Sequence, residues 1–311
     1  MFWTILIAIL SIFLITGVFI WLVGERGRLF IPSTIQFIRE GGLKRFFNLS
    51  TFHGYIYMRW QRPYIKLFIN QIGPRSSQSG RKWWADQYHG KVLPEKQAEN
   101  LIMIHENIPL RDLEQVIPYP IARDLVLSAT PTIAVYECGC RHARKDHCSP
   151  TQVCMFFGEP FANFMLEHHP NESRALSQSE ALELLEAEHQ RGHVHTAWFK
   201  NAMHDRFYVI CNCCKCCCGG IETMNKYGIP MMASSGFVAV ADEELCGACG
   251  TCVDYCPFEA LSLENHVLIS WDKCMGCGVC VDQCPNEALS LIIDENKGIP
   301  MDLPVLLTTD Q

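Results

Sequence analysis

The feature that most constrains this chain is a repeat close to its carboxyl end. Residues 244–263 read ELCGACGTCVDYCPFEALSL, and residues 272–291 read DKCMGCGVCVDQCPNEALSL. Each copy has three cysteines at intervals of three, a fourth after three further residues, and a proline directly behind it, Pro257 or Pro285. The likeness continues through Glu259 and Glu287, Ala260 and Ala288, and the Leu-Ser-Leu runs that follow. A repeat this regular is two copies of one small unit. Three thiolates on one tight turn can hold one face of an Fe4S4 cube while the fourth corner is reached from elsewhere. Zinc knuckles have no need of the third cysteine or the proline. Disulfides are disfavoured, since cysteines three apart on a tight turn cannot pair among themselves.

These residues resemble the bacterial two-cluster ferredoxins, whose C-x2-C-x2-C-x3-C-P run they reproduce. The resemblance covers residues 245–293. It implies that the halves exchange their fourth ligand. One cluster would then take Cys246, Cys249, Cys252 and Cys284, and the other Cys274, Cys277, Cys280 and Cys256. It also implies a ferredoxin-like 2[4Fe-4S] domain over residues 241–311. Gly247, Gly250, Gly276 and Gly278 fit tight turns that bring backbone amides toward cluster sulfurs.

All 18 cysteines lie between Cys138 and Cys284. Such confinement reads as cofactor ligation rather than a scaffold of bridges. Ten of them form a second set: Cys138, Cys140, Cys148 and Cys154, then Cys211, Cys213, Cys214, Cys216, Cys217 and Cys218. Three readings stand open. The first is two further Fe4S4 clusters, with Cys138, Cys140, Cys148 and Cys154 as one full quartet. The second is a zinc site that includes His142 or His147. The third is a substrate site or noncubane cluster. Residues 141–147 form a basic turn suited to the acidic face of a redox protein. Between the two cysteine groups, residues 158–170 and 177–193 predict two helices, the second with a Ser177 and Glu180 capping box. This pair is expected to clip Cys211 onward against Cys138–Cys154. TIAVYEC predicts a short strand ahead of Cys138, and residues 199–213 lead, partly as a strand, into the second group.

The chain starts with 22 uncharged residues, Phe2–Val23. At about 1.5 Å per residue such a helix spans roughly 33 Å, enough for a bilayer core of about 30 Å. Trp3 and Trp21 sit near its ends, where aromatic residues favour the interface. A retained transmembrane anchor over 1–24 is therefore expected, in preference to a cleaved signal or a buried core helix. Arg26, Arg28, Arg39, Lys44 and Arg45 follow it and place the bulk of the chain on the cytoplasmic side of an inner membrane. Residues 25–96 carry 13 Lys or Arg against 4 Asp or Glu, a net of +9, within a chain of net charge -7. This basic segment predicts a helix over 33–39 broken by Gly41 and Gly42, then amphipathic helix on either side of Pro63 suited to a membrane surface. Residues 73–84 read as a flexible link, and a two-turn helix is expected between Pro120 and Pro131.

The expected architecture is α+β throughout: anchor 1–24, basic membrane-proximal segment 25–96, cysteine-rich iron-sulfur domain 97–240, and two-cluster domain 241–311. No G-x-G-x-x-G follows a strand and no C-x-x-C-H is present, so no nicotinamide, flavin or covalent haem site is expected. Nucleic acid is not expected as a partner. Beyond the ferredoxin segment the chain looks like the membrane-tethered multi-cluster iron-sulfur proteins of anaerobic bacteria. The expected role is an electron-transfer subunit that relays low-potential electrons between a soluble carrier and a partner oxidoreductase. The alternatives are an oxidoreductase whose middle cysteines meet substrate, and a metal-stabilised docking module of a membrane complex.

Overall fold

The middle of the chain is organised by one seven-stranded sheet. The computed structural model describes the backbone of residues 2–47, 49–103, 108–110, 125–127, 132–204 and 206–301, and all of their side chains except those of 2–4, 7–10, 13, 43–47, 108–110 and 125–127. Across the sheet the strands run Ser173–Leu176, Ile133–Glu137, Gln152–Phe157, Arg206–Cys213, Val194–Lys200, Tyr88–Leu93 and Met232–Ala233. Every pairing is antiparallel except the last. The strands are rich in valine, isoleucine, threonine and aromatic residues, which suit a pleated surface packed on both sides. Alternation sends successive side chains to opposite faces. Ala134 and Tyr136 pack with Phe161, Phe164 and Met165 of helix Phe161–His168. Ile133 and Val135 pack with Ala181 and Leu185 of helix Gln178–Gln190 and Leu101 of helix Glu95–Ile102. The expected capping box is present, with the Ser177 hydroxyl accepting from Glu180 N and Glu180 accepting from Ser177 N.

Several expectations change here. The two cysteine groups are joined by strand pairing and not by a helical clip, because Met155 lies opposite Ile210 in the sheet. Strand Tyr88–Leu93, ahead of residue 97, belongs to the same sheet and pairs antiparallel with His195–Lys200. Residues 73–84 are helical in place of a link, as Gly73–Arg75 and Gln78–Ala85, the latter capped by Ser77 Oγ accepting from Gly80 N at 3.1 Å. The helix expected after Pro120 lies outside the described residues, except that Leu125–Leu127 is a strand paired with Ile108–Leu110.

The basic segment is a run of helices, Pro32–Phe47 kinked at Gly42, Ser50–Arg59 and Gln61–Leu67. The break between the last two falls at Trp60, and Pro63 sits within the first turn of the following helix, where its missing N–H costs nothing. The aromatic side chains expected at a membrane surface are turned the other way. Tyr55, Tyr57 and Met58 are buried in the core shared with Phe164 and Tyr208, because one wall of the sheet domain would otherwise be left bare. The helix Phe2–Gly24 precedes this segment. Its carboxyl end is tied down by Arg59 Nε donating to Gly24 O at 2.7 Å and by Trp21 stacked on Tyr55 at 5.2 Å. Among the described residues no helix is long and apolar enough to cross a membrane.

The carboxyl-terminal unit pairs Phe237–Ala241 with Leu289–Ile293, and Leu261–Leu263 with Val267–Ile269. Short helices Thr251–Tyr255 and Val279–Asp282 follow the cysteine turns. The sequence repeat is also a backbone repeat: Ala248 and Gly276, Gly250 and Gly278, and Glu259 and Glu287 are matched pairs of left-handed residues. The unit rests on the sheet domain. Asn225 Nδ2 donates to Pro257 O at 2.8 Å, His189 Nε2 lies 3.0 Å from Asp282, and Gly192 leaves room for the Tyr255 ring.

Candidate metal centres

Each ferredoxin turn closes on a cavity lined by four cysteines drawn from both halves of the repeat. Cys246, Cys249, Cys252 and Cys284 line one of ≈ 330 Å³. Cys256, Cys274, Cys277 and Cys280 line another of ≈ 340 Å³. These are the exchanged quartets that the resemblance implied, in cavities of nearly equal size, as two copies of one unit require. Backbone amides reach the sulfurs at equivalent places: Ala260 N to Cys256 Sγ and Ala288 N to Cys284 Sγ, each at 3.3 Å, with Ala239 N to Cys274 Sγ at 3.4 Å. Such bonds stabilise charge on the sulfurs and raise the potential of a bound cluster. Burial pushes the Cys277 thiol up to about 12, an effect that metal coordination reverses. The two sites differ in exposure. Cys249 of the first is exposed, whereas Cys277 of the second packs against the core that contains Cys213 and Cys218.

The ten middle cysteines divide in a way the sequence did not indicate. Cys148, Cys214, Cys216 and Cys217 form one compact group, with all four sulfurs within 4.8 Å of one another. The Cys148 and Cys214 sulfurs are 3.2 Å apart and those of Cys216 and Cys217 are 3.3 Å apart. Single-ion coordination at about 2.3 Å per bond puts tetrahedral thiolates about 3.8 Å apart, so this group fits one tetrahedral ion. The expected quartet of Cys138, Cys140, Cys148 and Cys154 is not gathered. Cys148 follows the strand that starts the set and swings out on the loop before Gln152, toward Cys214 and Cys217. His142 and His147 also stay out of the group. His142 Nε2 lies 2.7 Å from Glu137, and His147 faces the carbonyl of Cys148.

The other six gather into a ring of thiols around one cavity, with Cys154 beside Cys211 across the sheet and Cys213 beside Cys218. The Cys218 to Cys213 distance is 3.3 Å. Strand register accounts for the assembly. Met155 opposite Ile210 sets Cys154 beside Cys211, and Cys211 and Cys213 share a sheet face because they are two apart. Cys218 caps helix Gly219–Tyr227. Cys213 is held down at about 6 by hydrogen bonds from Cys211 and then Cys218. All six line one cavity whose other walls include Tyr57, Tyr64, Trp84, Tyr88, Trp198 and Tyr208.

Arg141 changes meaning in this setting. The basic turn of residues 141–147 was expected to face a partner, yet the Arg141 side chain is fully buried. It donates to Glu188 Oε2 at 2.7 Å and to Asn212 O at 3.2 Å. Arg144 binds Glu222 and donates to Cys217 O at 3.2 Å. The turn thus clamps the two cysteine groups together from inside and places a fixed positive charge beside Cys148 and Cys214; burial pushes both thiols up, and this charge opposes that push. Sequence reasoning missed Glu188, although Ala181, Leu185 and Glu188 share the buried face of their helix.

The ferredoxin segment is thereby defined as an iron-sulfur electron-transfer unit that takes two 4Fe-4S clusters. Residues 239–262 and 267–290 both match the family described as 4Fe-4S binding domain. No curated protein and no solved structure matches the chain.

Proposed function

We propose that the chain is a membrane-anchored electron-transfer subunit that accepts electrons at the exposed ferredoxin cluster and delivers them to a metal centre held by the buried middle cysteines. The observation that carries this reading is the gradient of exposure along the three centres. Cys249 at the first cluster is open to solvent, while Cys277 at the second packs into the same core as Cys213 and Cys218. A soluble carrier docks at the first, and the second is the only one of the two to touch the sheet domain core through its own ligand among the described residues. The partner oxidoreductase is served from the middle centre. No acid or base is required, only clusters held close in a low-dielectric shell.

The anchor is read from the uncharged sequence run Phe2–Val23, where most of the described side chains are apolar and exposed, among them Leu14 at 70%, Ile15 at 68% and Phe19 at 65%. A contiguous apolar surface of this kind is unusual on a soluble chain. With basic residues on its carboxyl-terminal flank, the reading places the clusters on the cytoplasmic side. The test is an anaerobic titration of the full chain in detergent, followed by electron paramagnetic resonance. The ferredoxin unit is expected to give two one-electron centres with magnetically interacting signals, and Cys256→Ala should abolish the interaction and leave the first centre's signal. Two signals without interaction, or loss of the first in that variant, would contradict the arrangement.

A further inference from the structure

We propose that Cys138, Cys140, Cys154, Cys211, Cys213 and Cys218 together hold one polynuclear iron-sulfur cluster, with a face turned to the aromatic cavity beside them. The ring differs from the neighbouring quartet in the one respect that decides nuclearity. A single tetrahedral ion needs every pair of its thiolates about 3.8 Å apart. Cys148, Cys214, Cys216 and Cys217 meet that requirement, and among the described residues no three of the ring cysteines lie within 4.8 Å of one another. The six sulfurs line one cavity and do not converge on a single point, so they enclose a space. One ion in that space could bond to two neighbouring thiols and leave four buried and idle. Several metal atoms bridged by sulfide fill it and engage all six.

The metal is iron by position. The ring shares its packing core with Met275, Val279 and Cys277 of the second ferredoxin turn, so a redox-active centre extends that path whereas zinc would end it; this step alone rests on the proposed electron flow. Six thiolates also exceed what a cubane uses, which sets this centre apart from the two ferredoxin clusters. The ring is not enclosed on every side by packed protein. It forms one wall of the cavity that Tyr57, Tyr64, Tyr88 and Trp198 also line. An exposed metal there is reachable by a small molecule, with hydroxyl groups of buried tyrosines close by. Tyr57 and Tyr208 oxygens are 3.3 Å apart, and Tyr88 accepts from Lys200 Nζ at 2.7 Å.

The test uses the full chain, purified without oxygen in detergent, with iron and zinc analysis and Mössbauer spectroscopy. The two ferredoxin clusters account for about eight irons. The wild-type chain is expected to exceed that by more than one iron. Cys154→Ser and Cys211→Ser, on different strands, should each remove the whole excess while both ferredoxin resonance signals remain, which also reports that the chain is folded. Cys216→Ser should leave the excess in place. On the unaltered chain, added cyanide should shift the Mössbauer lines of the excess irons and leave the ferredoxin lines alone. Iron that stops at about eight, an excess that survives both ring variants or disappears with Cys216→Ser, or excess irons indifferent to cyanide would overturn the proposal. Electron transfer enters none of these readouts, so a failed relay and a missing cluster are told apart.

Discussion

Gly276 turns the second ferredoxin loop at φ 60°, and a β-carbon there would collide with the backbone carbonyl of Phe237. Backbone cannot yield as a side-chain end can, and the left-handed conformation is itself costly for other residues. Gly276→Ala should therefore lose the second cluster and keep the first. Iron bound by the ferredoxin unit should fall from about eight to about four, with the interacting resonance signals replaced by one simple signal. The ligands of this unit were fully legible, because spacing of three along a tight turn is a local property. Arg141 and Glu188 were not. A charged residue in a basic-looking turn is buried only if distant segments cover it, and here strand Arg206–Cys213 and helix Gln178–Gln190 do so. The readable trace was Glu188 in register with Ala181 and Leu185.

Elements were legible where their pattern was strong. The strand ahead of Cys138, the capped helix after Ser177 and the break at Gly42 all appear. Assembly of the ten middle cysteines was not legible, since it depends on which strand lies beside which. The basic segment was misjudged for a related reason: an amphipathic helix shows that one face seeks cover without saying what provides it. That cover is the sheet domain, and His168 marks the joint. It stacks on Phe164 at 3.9 Å, and its ring nitrogens face Thr34 Oγ1 and Gly24 O. Burial, with Arg59 nearby, holds His168 at about 3. As pH falls below the ordinary value of about 6.5, the unfolded chain takes up a proton at this histidine and the folded chain does not, so stability is lost with falling pH at up to about 1.4 kcal/mol per unit. Anaerobic urea unfolding should show the wild type losing about 1 kcal/mol relative to His168→Gln between pH 7 and 5.5. A constant difference would mean that His168 takes up its proton equally in the folded and the unfolded chain. At the amino terminus, an anchor held by apolar burial resists screening of charge. High-salt washing should leave the protein with the membrane fraction and detergent should release it; release by salt alone would point to surface attachment.

At the scale of the molecule, the acidic ferredoxin unit sits on a sheet domain that is itself rich in cysteine, and Cys277 of the second quartet packs against that domain's core. The fold class was legible as α+β from alternating patterns, whereas the extent of the sheet was not, because its strands come from residues 88–233. The proposed order of the centres is tested most directly by rapid-freeze paramagnetic resonance of the full chain mixed with a soluble low-potential donor, in the wild type and in Cys256→Ala. In the wild type the first cluster should be reduced first and the middle centre last. In the variant the first cluster should be reduced as before while the middle centre stays oxidised. A middle centre reduced at an undiminished rate without the second cluster would contradict the account.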